Sequence, residues 1–284
     1  MVDNAPERVV GSKSFTAVAI NCAAKAGEWI QSKIGSVKQL DTKYSMHDLV
    51  TEVDKGSERM IRNLIGTHFP HHSFLGEEGV EPGPEAAAKA LQDVSDAEYL
   101  WIVDPVDGTT NYVHGFPFYS VSIALAHRGQ VIVGVVYDPS RDELFIAERG
   151  KGAYVHGRKV EASKEGTLGT SLLATGFPAE HLTALPANLR EIGAIAPKVR
   201  NLRSSGSAAL HLAYVASGRL SGFWEHNLSA WDIAAGSLLV EEAGGRMSDL
   251  AGEPYHLGVR DIVATNSLVH DELVSELKKA SAAK

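Results

Sequence analysis

An apolar segment that ends abruptly in acidic residues constrains this chain most. Residues 99–103 form a short apolar run typical of a buried strand, and the sequence Asp-Pro-Val-Asp-Gly follows at 104–108. Pro105 lacks an N–H, which predicts that the strand ends there, and Gly108 permits a tight turn. Two carboxylates crowded at a strand end are costly unless a cation compensates them, and their oxygens suit a hard cation such as Mg²⁺. A polar turn, in which Asp104 and Asp107 bond to their own backbone, is the alternative. This segment alone leaves both interpretations open.

Two further acidic segments lie beside apolar residues. Glu77 and Glu78 stand between Gly76 and Gly79, and Asp232 begins an alanine-rich helical pattern. Each has a simple explanation by itself: a solvated turn for the glutamates, and a carboxylate favoured by the helix dipole for Asp232. Together with the strand-end aspartates they supply acids in three places, as a site with two or three metal ions requires.

Composition excludes several classes of function. The chain has 284 residues and a formal net charge of −8, which disfavours direct nucleic-acid binding. Cys22 is the single cysteine, so no internal disulfide can form, and it lies on the apolar face of a predicted helix at 13–30. His68, His71 and His72 do not have the spacing of a usual zinc motif. The polar start does not resemble a signal peptide and no apolar run is long enough to span a bilayer, so we expect a cytoplasmic protein without membrane contact.

Hydrophobic periodicity predicts an α+β fold in two halves. Helical patterns come first, and alternating strands joined by short turns follow at 119–160, which indicates an antiparallel sheet. Strands and helices then alternate to the end of the chain, which favours helices on both faces of a second sheet. We predict a single unit over 1–284, with one half at about 1–158 and another at about 159–284.

Three motifs, GEE at 76–78, DPVDGTTN at 104–111 and WDIAAG at 231–236, resemble those of the inositol monophosphatase family. This family contains Mg²⁺-dependent, Li⁺-inhibited sugar-phosphate phosphatases, and the resemblance extends from about Lys43 to Gly245. It implies a layered α-β-α-β-α sandwich, a homodimer, and hydrolysis of a phosphate monoester with two or three Mg²⁺ ions per site or with Mn²⁺.

The resemblance also implies a role for each metal-site residue. Glu77, Asp104 and the backbone carbonyl of Val106 would hold one ion, and Asp104, Asp107 and Asp232 a second. Glu77 and Thr109 would orient the attacking water, and Asp54 would bind or orient water at a weaker third ion. Lys43 would lie near the metal-bound waters, and Glu78 would support the site.

Substrate contacts follow from the same resemblance. Gly108 and Thr109 would bind phosphate oxygens, Gly206 and Ser207 would contact the substrate together with Asp107 and Asp232, and Glu225 would accept hydroxyls of an inositol ring. Ser229 stands where animal members carry a histidine, which leaves the preference for the leaving group open. We expect a sugar or polyol phosphate, most simply myo-inositol monophosphate. Histidinol phosphate, fructose 1,6-bisphosphate and adenosine 3′,5′-bisphosphate are alternatives, as is a regulatory binding protein of the transcription machinery.

Overall fold

The N-terminal part consists of helices packed on a meandering sheet. The computed structural model describes residues 14–34, 40–42, 49–177 and 184–282, with only the backbone at 40–42 and 49–51. Its elements are α1 (Phe15–Ser32), β1 (Leu40–Thr42), β2 (Leu49–Thr51), α2 (Glu52–His68), β3 (Ser73–Gly76), α3 (Pro84–Asp93), β4 (Tyr99–Asp107), α4 (Thr109–Val113), β5 (Ser120–His127), β6 (Gln130–Asp138), β7 (Glu143–Glu148), β8 (Gly152–Val155) and β9 (Arg158–Val160). Strands β3 to β9 form a seven-stranded sheet in sequential order. The meander from β4 to β9 is antiparallel as predicted, whereas β3 pairs with β4 in parallel.

The C-terminal part alternates strands and helices. Its elements are β10 (Leu172–Thr175), α5 (Leu185–Ile195), β11 (Asn201–Arg203), α6 (Ala208–Ala216), β12 (Gly222–Glu225), α7 (Ala230–Glu242), β13 (Arg246–Asp249), β14 (Ile262–Thr265) and α8 (His270–Ala282). The strands form a five-stranded mixed sheet in the order β11-β10-β12-β14-β13. The predicted division of the chain at about residue 158 stays a prediction.

Three apolar clusters hold five layers of helices and sheets together. Helices α1 and α2 cover the outer face of the first sheet, where Val18, Ile61 and Trp101 are buried together. Helices α6 and α7 lie between the two sheets. Helices α5 and α8 cover the far face of the second sheet with Ile195, Trp224 and Leu273 in their core. The predicted layered α-β-α-β-α sandwich is therefore confirmed.

One local prediction is wrong: strand β4 does not end before Pro105. It continues to Asp107 with a shift of register, since Asp104 pairs with Ser122 and Asp107 with Ser120. Two residues of β4 thus face one residue of β5, which is the geometry of a β-bulge. A proline is tolerated there because the bulged backbone makes no regular ladder bond. The bulge turns both aspartates toward the same region.

Two smaller predictions concern Cys22 and membrane association. Cys22 is fully buried in the core beneath α1, and burial raises the pKa of its thiol to about 12, so it packs as an apolar residue. In the described parts of the chain, none of the helices has both the length and the apolar character needed to cross a bilayer.

Candidate metal centre

Carboxylates from two distant segments meet at the end of β4. One oxygen each from Asp104, Asp107 and Asp232 lies within 4.8 Å of the other two, and among the described residues this is the one such group of metal-binding side chains. Asp104 and Asp107 are 2 % and 7 % exposed. Asp232 lies in the first turn of α7, where its Oδ2 accepts the Ser229 N–H at 2.7 Å. The packing of α7 on the first sheet therefore brings the predicted acids together.

Burial and mutual repulsion raise the pKa values of these acids. Burial, followed by the charges of Glu77, Asp107 and Asp232 and a hydrogen bond with Glu77, raises the pKa of Asp104 well above its usual value. Burial raises the pKa of Asp107 to about 6, against the hydrogen bonds that it accepts. Burial and the charges of Glu77 and Asp107 raise the pKa of Asp232 to about 8. An all-oxygen donor set with excess negative charge fits a divalent cation such as Mg²⁺.

Glu77 reaches this cluster from the neighbouring strand. Strand β3 pairs with β4 so that Gly76 stands opposite Val103, one residue before Asp104. Glu77 begins a short 3₁₀ turn there, and its side chain shares a hydrogen bond with Asp104. Glu78 is half-buried, and its backbone N–H donates to Glu58 Oε2 at 2.7 Å. Parallel pairing thus brings the glutamates beside the aspartates.

Thr109 connects the strand end to helix α2. Its Oγ1 lies 2.9 Å from Oδ1 of Asp54 and 2.9 Å from the carbonyl oxygen of Val106. Both partners are acceptors, so the single hydroxyl proton is directed to them and the oxygen lone pairs remain for another donor. Asp54 is 1 % exposed in the first turns of α2. Lys43 lies outside the described residues.

Glycines shape the turn that follows the acids. Gly108 has φ +94°, and a Cβ there would stand 3.0 Å from the carbonyl oxygens of Gly206 and Phe118. Gly206 has φ +82°, and its own Cβ would stand 2.9 Å from Nδ2 of Asn111. Both positions favour glycine by conformation and by space. The α4 turn and the loop before α6 consequently lie in close contact.

Ser207 and Glu225, the predicted substrate contacts in the C-terminal half, have different surroundings. Ser207 donates its hydroxyl to Asp107 Oδ2 and caps α6 by accepting the Leu210 N–H at 3.3 Å. Glu225 ends β12 at 8 % exposure, and burial and the charges of Asp107 and Asp232 raise its pKa to about 8. Ser207 therefore contacts the acidic cluster directly, and Glu225 lies within reach of its charges.

Two site-forming residues were not predicted. Asn111 Nδ2 donates to the carbonyls of Phe118 at 2.7 Å and Ser205 at 2.6 Å, so it joins the α4 turn to the loop before α6. Glu58 binds the loop that carries Glu77. Asn111 was visible as the last residue of a motif, and the glycines that flank the glutamate pair were the signal for a close neighbour such as Glu58.

The fold and the acidic site are those of a class of metal-dependent phosphatases built as layered α+β sandwiches. The model of the inositol monophosphatase family matches residues 12–282, and the chain belongs to that family. The family is metal-dependent, so the chain is a phosphatase-family protein with an acidic site able to bind a metal ion.

Individual relatives carry two kinds of name. The chain is 43 % identical over 270 residues to inositol monophosphatase 2 of Solanum lycopersicum, with 94 % of this chain and 99 % of that protein covered. It is 40 % identical to the Nus factor SuhB of Pseudomonas aeruginosa, with 92 % and 94 % covered. Among solved structures, the suppressor protein SuhB of Bartonella henselae has a TM-score of 0.84 at 39 % identity, with 93 % and 98 % covered.

Proposed function

We propose that this protein is an Mg²⁺-dependent phosphatase that hydrolyses myo-inositol monophosphate to inositol and phosphate. One observation carries the proposal: carboxylates of Asp104, Asp107 and Asp232 converge within 4.8 Å in a largely buried site. Membership of the family supports the reaction class. The name of the relative from Solanum lycopersicum supports the substrate.

The residues divide into two main metal positions. Glu77, Asp104 and the Val106 carbonyl would hold one Mg²⁺, and Asp104, Asp107 and Asp232 would hold a second, so Asp104 would belong to both ligand sets. Asp54 would serve a weaker third ion, and Mn²⁺ could replace Mg²⁺. When bound, Mg²⁺ lowers the pKa of water and offsets the charge of the phosphate.

Protein groups would orient the nucleophile and move its proton. Thr109 Oγ1 can accept a proton from water while its own hydroxyl donates to Asp54 Oδ1 at 2.9 Å. Glu77 is a second acceptor on the side of Asp104. The backbone N–H groups of Gly108 and Thr109, at the start of α4, would bind phosphate oxygens.

Glu225 would select a polyol by accepting its hydroxyls. Burial, followed by the charges of Asp107 and Asp232, raises its pKa, which supports a position beside the acids. Gly206 and Ser207 would form the adjoining wall. Gly176 makes room for the carboxylate, because a Cβ there would overlap Glu225.

The first test is phosphate release from inositol 1-phosphate with and without Mg²⁺, then with added Li⁺. Histidinol phosphate, fructose 1,6-bisphosphate and adenosine 3′,5′-bisphosphate run beside it, with Asp104→Asn as the control. Mg²⁺-dependent, Li⁺-sensitive turnover that is lost in Asp104→Asn supports the whole proposal. Preference for another ester would change the substrate alone, and no turnover of any ester in Mg²⁺ or Mn²⁺ would refute the enzyme.

A regulatory role in transcription is the second candidate, and the relative named a Nus factor favours it. A net charge of −8 argues against direct contact with nucleic acid but not against a protein partner. Binding to RNA polymerase, measured by biolayer interferometry, should then be equal for the wild type and Asp104→Asn.

We also propose a cytoplasmic homodimer; light scattering should give twice the 30.4 kDa chain mass.

A further inference from the structure

Helix α2 presents two buried carboxylates to the site, one turn apart. Asp54 and Glu58 are 1 % and 5 % exposed, and their spacing of four residues places them on the same face of the helix. Asp54 accepts the hydroxyl of Thr109. Glu58 has no place in the proposed reaction, yet a buried carboxylate is costly unless it is fully bonded.

Glu58 is bonded to the loop that carries Glu77. Its Oε2 accepts the backbone N–H of Glu78 at 2.7 Å, and its Oε1 accepts Arg62 Nη2 at 3.0 Å. The Arg62 guanidinium in turn lies 4.0 Å above the ring of Phe74 in β3. Hydrogen bonds to an ionised acceptor are about twice as strong as neutral ones. The chain therefore fixes the residue after Glu77 from outside the acidic cluster.

The flanking glycines match this arrangement. A Cβ at Gly76 would overlap the carboxylate of Glu58, although φ at Gly76 is −125°, which any residue can adopt. A Cβ at Gly79 would stand 3.1 Å from Arg62 Nη2. Space for the side chains of Glu58 and Phe74, not backbone conformation, thus explains why a glycine precedes the glutamate pair.

We infer that Glu58 is a positioning residue for Glu77 and thereby sets the affinity of the acidic site for divalent cations. This inference rests on the proposed function, in which Glu77 is a metal ligand. The short turn that carries Glu77 is closed by a backbone bond from Val80 N to Glu77 O at 3.2 Å. The bond from Glu78 N to Glu58 holds the other side of that turn. Removing the charge of Glu58 weakens this bond and should let the Glu77 carboxylate move away from Asp104.

The test compares Glu58→Gln with a matched control, Glu242→Gln. Glu242 also holds a loop through backbone N–H groups, from Gly150 and Gly152 at 2.7 Å each, but it ends α7 while Asp232 begins it. Ten residues of helix separate the two, about 15 Å. Mn²⁺ binding to metal-free protein is measured by calorimetry, and thermal unfolding is followed without metal.

Loss of Glu58 should weaken Mn²⁺ binding by about 10- to 100-fold, as for other residues that support metal ligands. Glu242→Gln should bind Mn²⁺ as the wild type does, even where its thermal stability falls equally. In phosphatase assays, the deficit of Glu58→Gln should shrink as Mg²⁺ is raised, which a general loss of folding would not produce.

Equal Mn²⁺ affinity in Glu58→Gln and the wild type would overturn the inference while leaving the proposed function intact. No Mn²⁺ binding by the wild type would refute the proposed function itself. If Glu58→Gln does not fold, Arg62→Gln is used to test the inference. Arg62 is half-exposed, so its replacement removes one hydrogen bond to Glu58 without leaving a cavity in the core. Weaker Mn²⁺ binding in Arg62→Gln is then expected, and unchanged binding contradicts the inference.

Discussion

The hydroxyl of Thr109 lies 2.9 Å from Oδ1 of Asp54, a residue 55 positions earlier in the chain. This bond joins the turn after β4 to helix α2 and gives the hydroxyl proton a buried acceptor. Thr109 can therefore orient a water molecule without being a metal ligand itself. Activity and metal binding should consequently separate when this hydroxyl is removed.

We expect Thr109→Val to lower kcat about 100-fold or more, the usual contribution of a positioned proton-transfer group. Mn²⁺ affinity, measured by calorimetry, should stay close to that of the wild type. Thr109→Ser keeps the hydroxyl and should retain most of the activity. A Thr109→Val enzyme with wild-type kcat would show that the bond to Asp54 has no part in the reaction.

Metal removal should make folding stability fall as pH rises. Without metal, the pKa values of Asp107 and Asp232 are raised to about 6 and 8, so the folded state binds more protons than the unfolded state between about pH 4 and 8. Stability is then highest at the acidic end of that window and is lost as pH increases through it. Bound Mg²⁺ neutralises the carboxylates and should remove this loss.

Thermal unfolding at pH 5 and pH 8.5 checks this, with EDTA or with Mg²⁺. The fall in Tm between the two pH values should be larger in EDTA by about 3 °C or more, since one kcal/mol corresponds to about 2–4 °C in a chain of this size. Asp232→Asn removes one of the shifted carboxyls and should reduce the fall in EDTA. Equal falls with and without Mg²⁺ would contradict the prediction.

A side chain at Gly206 should destabilise the protein through Asn111. Gly206→Ala places a methyl group 2.9 Å from the Asn111 amide, whose bonds to Ser205 and Phe118 hold the α4 turn. Gly244 has the same φ of +82° but open space around it, so Gly244→Ala carries the conformational cost alone, about 1–2 kcal/mol. Denaturant unfolding should show Gly206→Ala to be less stable than Gly244→Ala by about 1 kcal/mol or more. Equal losses would mean that Asn111 moves aside freely.

His226 should stabilise the fold at low pH and lose that effect at high pH. Burial alone would lower its pKa, but hydrogen bonds to Asp261 and Glu191 and their charges raise it to about 9. Its Nε2 lies 2.7 Å from Oε2 of Glu191, which is fully buried. Because the folded pKa exceeds the unfolded value near 6.5, the stabilisation is complete below about pH 6.5 and disappears as pH rises through 9.

Denaturant unfolding of His226→Gln and the wild type at pH 6 and pH 10 measures this effect. The mutant should be less stable by about 3 kcal/mol at pH 6, the lower range for a broken buried pair, because Trp224 and Ser281 still donate to Glu191. At pH 10 the free energies of unfolding of the two proteins should become similar. A difference that stays constant with pH would mean that folding does not change the pKa of His226.

Much of the site could be predicted because its motifs are local. The apolar run before Asp104 and the alanine-rich pattern after Asp232 correctly indicated a buried strand and a helix. The predicted end of β4 was wrong because the fixed φ of Pro105 prevents regular strand pairing but allows a β-bulge. Whether a bulge forms depends on how β5 pairs with β4, which the sequence of β4 does not show. The support from Glu58 escaped prediction because its partner, the N–H of Glu78, lies 20 positions away.

The sequence by itself determined the chemistry of the donors and the periodicity of the elements that carry them. It placed oxygen ligands beside apolar residues in three separate segments, since residue type and local spacing are read directly from the chain. Only the tertiary structure decided that Asp107 is bound by the start of α6 about 100 positions later, and that Asp232 lies beside it. Burial, mutual repulsion and metal affinity depend on distances in space, and these are set by how the layers pack, not by any one segment.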